Sequence, residues 1–332
     1  MDEFTARATV RWRAIDPLLP DAFPPDGSGP DGDCGARLLV GQGGNLAALG
    51  TCQHTEPDPA GIDLSWNMAR RFELTPRVVG PDAGAALGRL ISRWRDHLAS
   101  VPGSGDDDTA AVITWPSRDI EGVAALQRHG LRPLAVVAIR PAAGPGARQA
   151  GRVPGPDPAG ETRIRRAGPA DAETIAAFGA AIARFDAHFS DTPDRAGTAA
   201  ALRQEAARLL AAGALAEGGP GTRPWTWLAE RSGKPVGVIA TQRPDHAAWI
   251  APMTRLGPVA YTVLGYVSPQ ERSAGIGAEL AACLHAEVDP AGVAATLLHY
   301  EQLNPYAAPF WSRQGYRPLW TIWEARPARS LR

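Results

Sequence analysis

The segment Val267-Ser-Pro-Gln-Glu-Arg-Ser-Ala-Gly-Ile-Gly-Ala-Glu-Leu280 places an arginine and two glycines, one residue apart, between an apolar strand-like run and an apolar helical run. A chain that leaves a strand at Val267, turns through Ser268 to Ala274 and enters a helix near Gly275 aims several free backbone N–H groups at one point. The positive end of the helix dipole adds to them, so the stretch predicts an anion site. Gly275 and Gly277 let the backbone approach a bulky diphosphate, and Arg272 supplies a charge beside it. Two other glycine-rich readings fail on spacing. A dinucleotide fingerprint needs a third glycine where Leu280 stands, and the Gly-Lys-Ser/Thr of a Walker loop is absent.

Around this segment the chain is ordinary globular protein: 332 residues, 44% hydrophobic, 21% charged, formal net charge −1. That length suits two domains of roughly 150 residues better than one. The near-zero charge gives no global attraction to nucleic acid or anionic lipid. Cys34, Cys52 and Cys283 are odd in number and lack paired spacing, which points to a reduced compartment and against a metal site. With no run approaching the roughly 18 to 20 apolar residues of a membrane span, and no leader-like start, the expectation is a cytoplasmic protein.

Internal similarity divides the chain. "AVITWPSRD" (111–119) lines up with "TLLHYEQLN" (296–304), and "LQRHGLRPL" (126–134) with "WSRQGYRPL" (311–319), both at an offset of 185 residues. The Pro/Gly-rich stretch 141–161 reads as a linker between a first domain, 1–140, and a second, 162–332. Each half predicts a hairpin, a further strand, an amphipathic helix, a strand, a short glycine-closed helix and a last strand. In the second half these follow an opening strand near 162 and two helices, "AETIAAFGAAIARFDAHF" and "AALRQEAARLLAAG". The first half shortens the key loop to "PDAGAALG", with Ala83 at the arginine position and Ala86 at the first glycine.

With "NPYAAPFWSRQGY" (304–316) added, the second half resembles the GCN5-related N-acetyltransferase (GNAT) superfamily. Arg272, Gly275 and Gly277 match its Arg/Gln-x-x-Gly-x-Gly/Ala loop, and Asn304, Trp311, Gly315 and Tyr316 match its later segment. The resemblance implies an α/β (α+β) fold of two tandem GNAT units, each a mixed, mostly antiparallel sheet with helices on both faces. It implies acetyl-CoA as co-substrate without a metal. The diphosphate would sit on the loop Arg272, Ser273, Ala274, Gly275, Ile276, Gly277 and Ala278, with Tyr266, Val267, Asn304 and Trp311 beside the rest of the molecule. The pantetheine arm would lie between strands 261–267 and 294–300, which splay apart. By the same comparison the first unit, lacking the loop, is a degenerate GNAT domain.

Direct acyl transfer needs a proton acceptor for the ammonium and a donor or tolerant setting for the thiolate. The family's usual acid is a tyrosine where Trp311 stands, so Tyr300 and Tyr306 become the candidates. His299 and Glu301 share one face of a strand, with Thr114 and Pro116 at their positions in the first half, and are the candidate bases. Asp186, His188 and Asp191, in the stretch 185–194 that follows the first helix of the second half, would favour a cationic acceptor, the alternative being a solvated loop with Asp191 or Thr192 as N-cap of the next helix. The reading is an acyl-CoA-dependent N-acyltransferase acting on a small amine, as a monomer or homodimer with neither nucleic acid nor membrane as partner. A non-catalytic acyl-CoA-binding module and an O-acyltransferase remain open beside it.

Overall fold

The structure, a computed structural model, describes residues 3–22, 36–42, 45–143, 162–211 and 223–332. Cys34 and most of the expected linker lie outside them. The first half runs α1 (Glu3–Ile15), β1 (Arg37–Gln42), β2 (Asn45–Thr55), β3 (Arg70–Val78), α2 (Ala83–Ser100), β4 (Thr109–Pro116), α3 (Ile120–Arg128) and β5 (Arg132–Pro141). The second runs β6 (Thr162–Arg166), α4 (Ala172–Ser190), α5 (Thr198–Ala211), β7 (Trp225–Arg231), β8 (Lys234–Gln242), β9 (Val259–Val267), α6 (Ile276–Val288), β10 (Ala295–Glu301), α7 (Ala307–Arg313) and β11 (Arg317–Ala325). Local chemistry accounts for the turns. Ser232 and Gly233, both at positive φ, close the β7–β8 hairpin, and Gly315 at φ 88° ends α7.

The strands form a single eleven-stranded sheet, in the order β1-β2-β3-β4-β11-β5-β10-β9-β8-β7-β6. All pairings are antiparallel except β3–β4 and β9–β10. The expected two sheets are therefore one, because the last strand of each half is exchanged: β5 lies between β11 and β10, and β11 between β4 and β5. The exchange obeys the sequence repeat. His299 pairs with Val137 and Glu301 with Ala135, while Thr114 pairs with Ile322 and Pro116 with Trp320. Each second pair is the first displaced by 185 residues (299 − 114; 322 − 137).

Helices cover both faces. On one face α2 packs Leu87, Leu90, Ile91 and Trp94 against β4 and the exchanged Trp323 and Ala325. On that same face α6 packs Leu280, Ala281 and Leu284 against β10 and the exchanged Val136 and Ala138. The opposite face carries α4 and α5 over β8 and β9, and α1 with the 247–256 segment over Val137, Ile139, Leu297 and Trp320. Helix α1 buries Ala8 and Trp12 as its apolar stripe.

Candidate active site

The parallel ladder between β9 and β10 holds only from Ala295–Val259 to Leu298–Thr262. Beyond it Val263–Val267 and His299–Glu301 diverge, as expected for the 261–267 and 294–300 pair. A register shift against β8 between Ala240 and Thr241 leaves Val263 as the extra residue, bending β9 where the cleft opens. Sequence alternation gave no sign of this bulge.

At the end of β9 the loop 268–275 leads into α6. Ser273 (φ 66°) and Gly275 (φ 87°, the N-cap) both adopt the left-handed conformation, with Ala274 between them. The amides of Ile276, Gly277 and Ala278 belong to the first turn, where donors have no intrahelical acceptor four residues back. A Cβ on Gly277 would come within 3.1 Å of the Phe310 ring, so α7 already packs tightly on the start of α6. Such a concave run of amides fits a diphosphate. Arg272 donates from Nε to the Val267 carbonyl and lays its guanidinium over the rings of Phe185 (5.0 Å) and Tyr306 (5.5 Å).

The first half has four residues between strand and helix (79–82) against eight (268–275) in the second. Helix α2 begins a turn sooner and fills the loop's place. Its N-cap is Asp82, whose carboxylate accepts from Gln42 Nε2 (2.8 Å), and Gly84 lies so near α3 that a Cβ would sit 2.9 Å from the Glu121 carbonyl. A carboxylate at the helix N-terminus and a closed approach both oppose a diphosphate there.

Other candidates fall into two groups. Trp311 is buried on the α6 face, its ring so close to Gly265 of β9 that a Cβ there would meet it at 3.0 Å. Half-buried Tyr300 lies on the same face, and burial raises its phenol above the ordinary value. Tyr306 is exposed at the start of α7. Tyr266 packs with its ring tilted 35° against Phe178 of α4 (5.2 Å), and Val267 packs toward α6.

On the opposite face His299 accepts or donates through Nδ1 to the Tyr261 hydroxyl (3.0 Å). Desolvation, with a smaller effect of Arg71, lowers the imidazole to about 4. Burial, aided by the carboxylates of Asp186 and Glu324, pushes Glu301 up to about 8. Its Oε2 is buried with no hydrogen-bond partner among the described residues. Burial likewise raises Asp186 to about 6, against the opposing hydrogen bond from Asn304 Nδ2 (3.2 Å). Asn304 Oδ1 accepts from the Tyr306 amide.

Two of the three residues expected to favour a cationic acceptor are placed elsewhere. Helix α4 continues to Ser190, so Asp186 faces inward while His188, two positions on, is exposed. Asp191 is the left-handed C-cap of α4, rather than the N-cap of the next helix, and pairs with Arg132 of the first half (2.9 Å). The acidic run 106–108 includes Asp108, which takes a two-pronged hydrogen bond from Arg195 (2.7 and 2.8 Å). Glu324 and Arg326, neighbours of Glu301, were missed because they act on it from β11 across the intervening β5, a proximity that strand alternation does not encode. No group of three or more metal-ligating side chains occurs among the described residues, and no described helix is long and apolar enough to cross a membrane.

Residues 191–316 match the Acetyltransferase (GNAT) family, spanning the diverging strands, the amide loop and α7. This stretch of the second half is a GNAT-family domain. Its structure is similar to a GCN5-related N-acetyltransferase from Sphaerobacter thermophilus, with a TM-score of 0.56 at 16% identity over 97% of this chain and 91% of that one. Similarity also extends to a GNAT-family acetyltransferase from Colwellia psychrerythraea (TM-score 0.47, 12% identity, 98% and 97% covered) and to a GCN5-related N-acetyltransferase from Kribbella flavida (0.43, 14%, 100% and 100%). None of the curated proteins matches the sequence. The GNAT-family match supports acyl-CoA-dependent acyl transfer as the general activity.

Proposed function

We propose that the protein transfers an acetyl group from acetyl-CoA to the nitrogen of a small amine at a single site in the second half, 162–332, while the first, 1–140, is a degenerate GNAT unit that binds no acyl-CoA. The observation that carries the reading is the left-handed Ser273–Gly275 loop set at the mouth of the β9–β10 opening, against the closed helix start at Asp82. The amine nitrogen attacks the thioester carbon, the carbon–sulfur bond breaks, and the ammonium proton passes to the carboxylates on the face opposite α6. Glu301 and Asp186 titrate as a coupled pair, with values near 8 and 6. Around neutral pH one is ionised and able to accept that proton. His299, already unprotonated well below neutrality, orients rather than titrates. The departing thiolate lies on the α6 side, where Tyr300 keeps its proton and Trp311 walls the cleft.

Calorimetry with coenzyme A is expected to give one site per chain, and Gly275→Asp to abolish it by setting a carboxylate where the diphosphate sits. Two equal sites, or binding that survives the change, would overturn the assignment. The tryptophan at the family's acid position favours a second reading, an acyl-CoA-binding module without turnover. Tight coenzyme A binding with no thiol release across primary amines would establish that alternative.

A further inference from the structure

At the apex of the opening, on the face away from α6 and its amide loop, lies an aromatic group. His299 is the first β10 residue past the parallel ladder, and Tyr261, whose neighbour Thr262 ends it, bonds to His299 from β9. Trp249 overlies both, edge-on to Tyr261 at 4.8 Å and nearly parallel to His299 (12°) at 6.3 Å. Its ring is held: the indole N–H donates to Gln242 Oε1 (3.1 Å), and Gln242 Nε2 donates to Glu205 of α5 (3.2 Å). Yet Trp249 is 58% exposed. A large ring fixed in position and open to solvent is a surface for a ligand rather than a piece of core.

The charges around it are mixed in origin. Asp63 and Glu205 add to the burial that holds the Tyr261 phenol above its ordinary value. Arg71, paired with Glu73 (3.2 Å), is the charge felt by His299. Asp63, Arg71 and Glu73 all belong to the degenerate half. The segment carrying Asp63 is fastened across the halves. Ile62 and Trp66 pack on the α4–α5 cluster, Arg195 donates to the carbonyls of Leu64 and Asn67, and Thr192 Oγ1 donates to the Trp66 carbonyl (3.3 Å). With Arg71 offset by Glu73 and Glu205 by Arg208 (3.2 Å), Asp63 is the carboxylate that leaves the recess acidic.

We propose that this recess seats the acyl acceptor, that the acceptor is a primary amine bearing a flat apolar body, and that the first half is the recess's outer wall, with Asp63 drawing the ammonium and Trp249 stacking on the body. Cations are attracted both to carboxylates and to the faces of indole and phenol rings, and a flat group gains contact area on a preordered tryptophan. This deepens the transferase reading and rests on it, since the apex of the opening is where the acyl carbon must meet the amine.

The test uses the full chain and 2-phenylethylamine as probe, with binding followed by calorimetry in the presence and absence of coenzyme A. The wild type is expected to bind one probe molecule. Asp63→Asn and Trp249→Ala should each weaken it about tenfold, near 1.4 kcal/mol, with coenzyme A affinity unchanged. Equal probe binding by all three proteins, or coenzyme A binding without probe binding, overturns the recess. Probe binding of the expected pattern without any coenzyme A binding keeps the recess and overturns the transferase reading. If acetyl transfer is seen with spermidine but not with 2-phenylethylamine, the assigned acceptor class is wrong.

Discussion

Glu301 shows how one side chain can trade stability for chemistry. Its carboxyl is raised from 4.5 to about 8 in the folded protein, mainly by burial and then by Asp186 and Glu324. A raised folded-state pKa means the stability tied to the neutral carboxyl is fully present below the unfolded value near 4.5 and is lost as pH climbs through about 8. Glu301→Gln, which keeps the shape and cannot ionise, should therefore raise the melting temperature at pH 9 and leave it nearly unchanged at pH 4. The same variant should lower kcat by roughly 100-fold if the carboxylate accepts the proton, with coenzyme A binding intact. Turnover of the wild type should increase between about pH 6 and 8 as Asp186 and Glu301 ionise. His299→Ala should keep that limb, because an imidazole near 4 does not titrate within it. A limb lost with His299 would return the proton-accepting role to the imidazole. That His299 and Glu301 share a face was legible from their spacing; which of them titrates near neutrality was not, since burial set both values.

At the scale of elements, the contrast between the halves is one of where a helix begins. Helices α2 and α6 follow equivalent strands, yet α2 starts at Ala83 after four residues and α6 at Ile276 after eight. The eight-residue loop depends on left-handed Ser273 and Gly275 to present its amides. The four-residue one has Asp82 and a helix-favouring Ala-Gly-Ala-Ala run, which winds instead. Sequence spacing exposed the missing arginine and glycine but not the extra turn that occupies their place. Helix α7 is closed in the way its glycine predicts. Gly315 sits at φ 88° and a Cβ there would meet only Arg140, at ordinary contact distance of 3.7 Å. Gly315→Ala should thus cost only backbone strain, about 1 kcal/mol, measured as a lower denaturation midpoint with an unchanged slope. A loss several times larger would mean that α7 anchors more than its own end.

The whole molecule is interlocked rather than beaded. Strand β5 is buried on both sides within the second half's sheet: Val136 and Ala138 face α6, and Val137 and Ile139 face the α1 side. Arg140 of the same strand makes a two-pronged pair with Asp289 just past α6 (2.8 Å twice). Each of Val136, Val137 and Ile139 contributes about 1.5–3 kcal/mol by burial, so withdrawing β5 would cost much of a typical total of about 5–15 kcal/mol. Residues 1–143 and 162–332 produced separately should each fail to give a cooperative unfolding transition, and should regain it when mixed; the full chain should melt in one step by calorimetry. Two separate transitions in the full chain would contradict the interlock. Arg195–Asp108 and Arg132–Asp191 reinforce the same contact between halves, and through Leu64 and Asn67 the first of them holds Asp63 beside the candidate acceptor recess.

The sequence by itself determined the elements, the repeat, and the loop at 272–278, because helix period, strand alternation and glycine placement are local signals that a chain carries wherever it folds. It also marked one half as able to hold a diphosphate and the other as altered at the same place. Only the tertiary structure decided that the last strands are exchanged. A strand's alternation says which face is buried but not which neighbour supplies its hydrogen bonds, and in a repeat both partners present the same register. For the same reason the surroundings of Glu301, His299 and Tyr261 were invisible: Glu324 and Arg326 act from β11 across the intervening β5, Asp63 acts on Tyr261 from 198 residues away along the chain (261 − 63), and Arg71 on His299 from 228 (299 − 71).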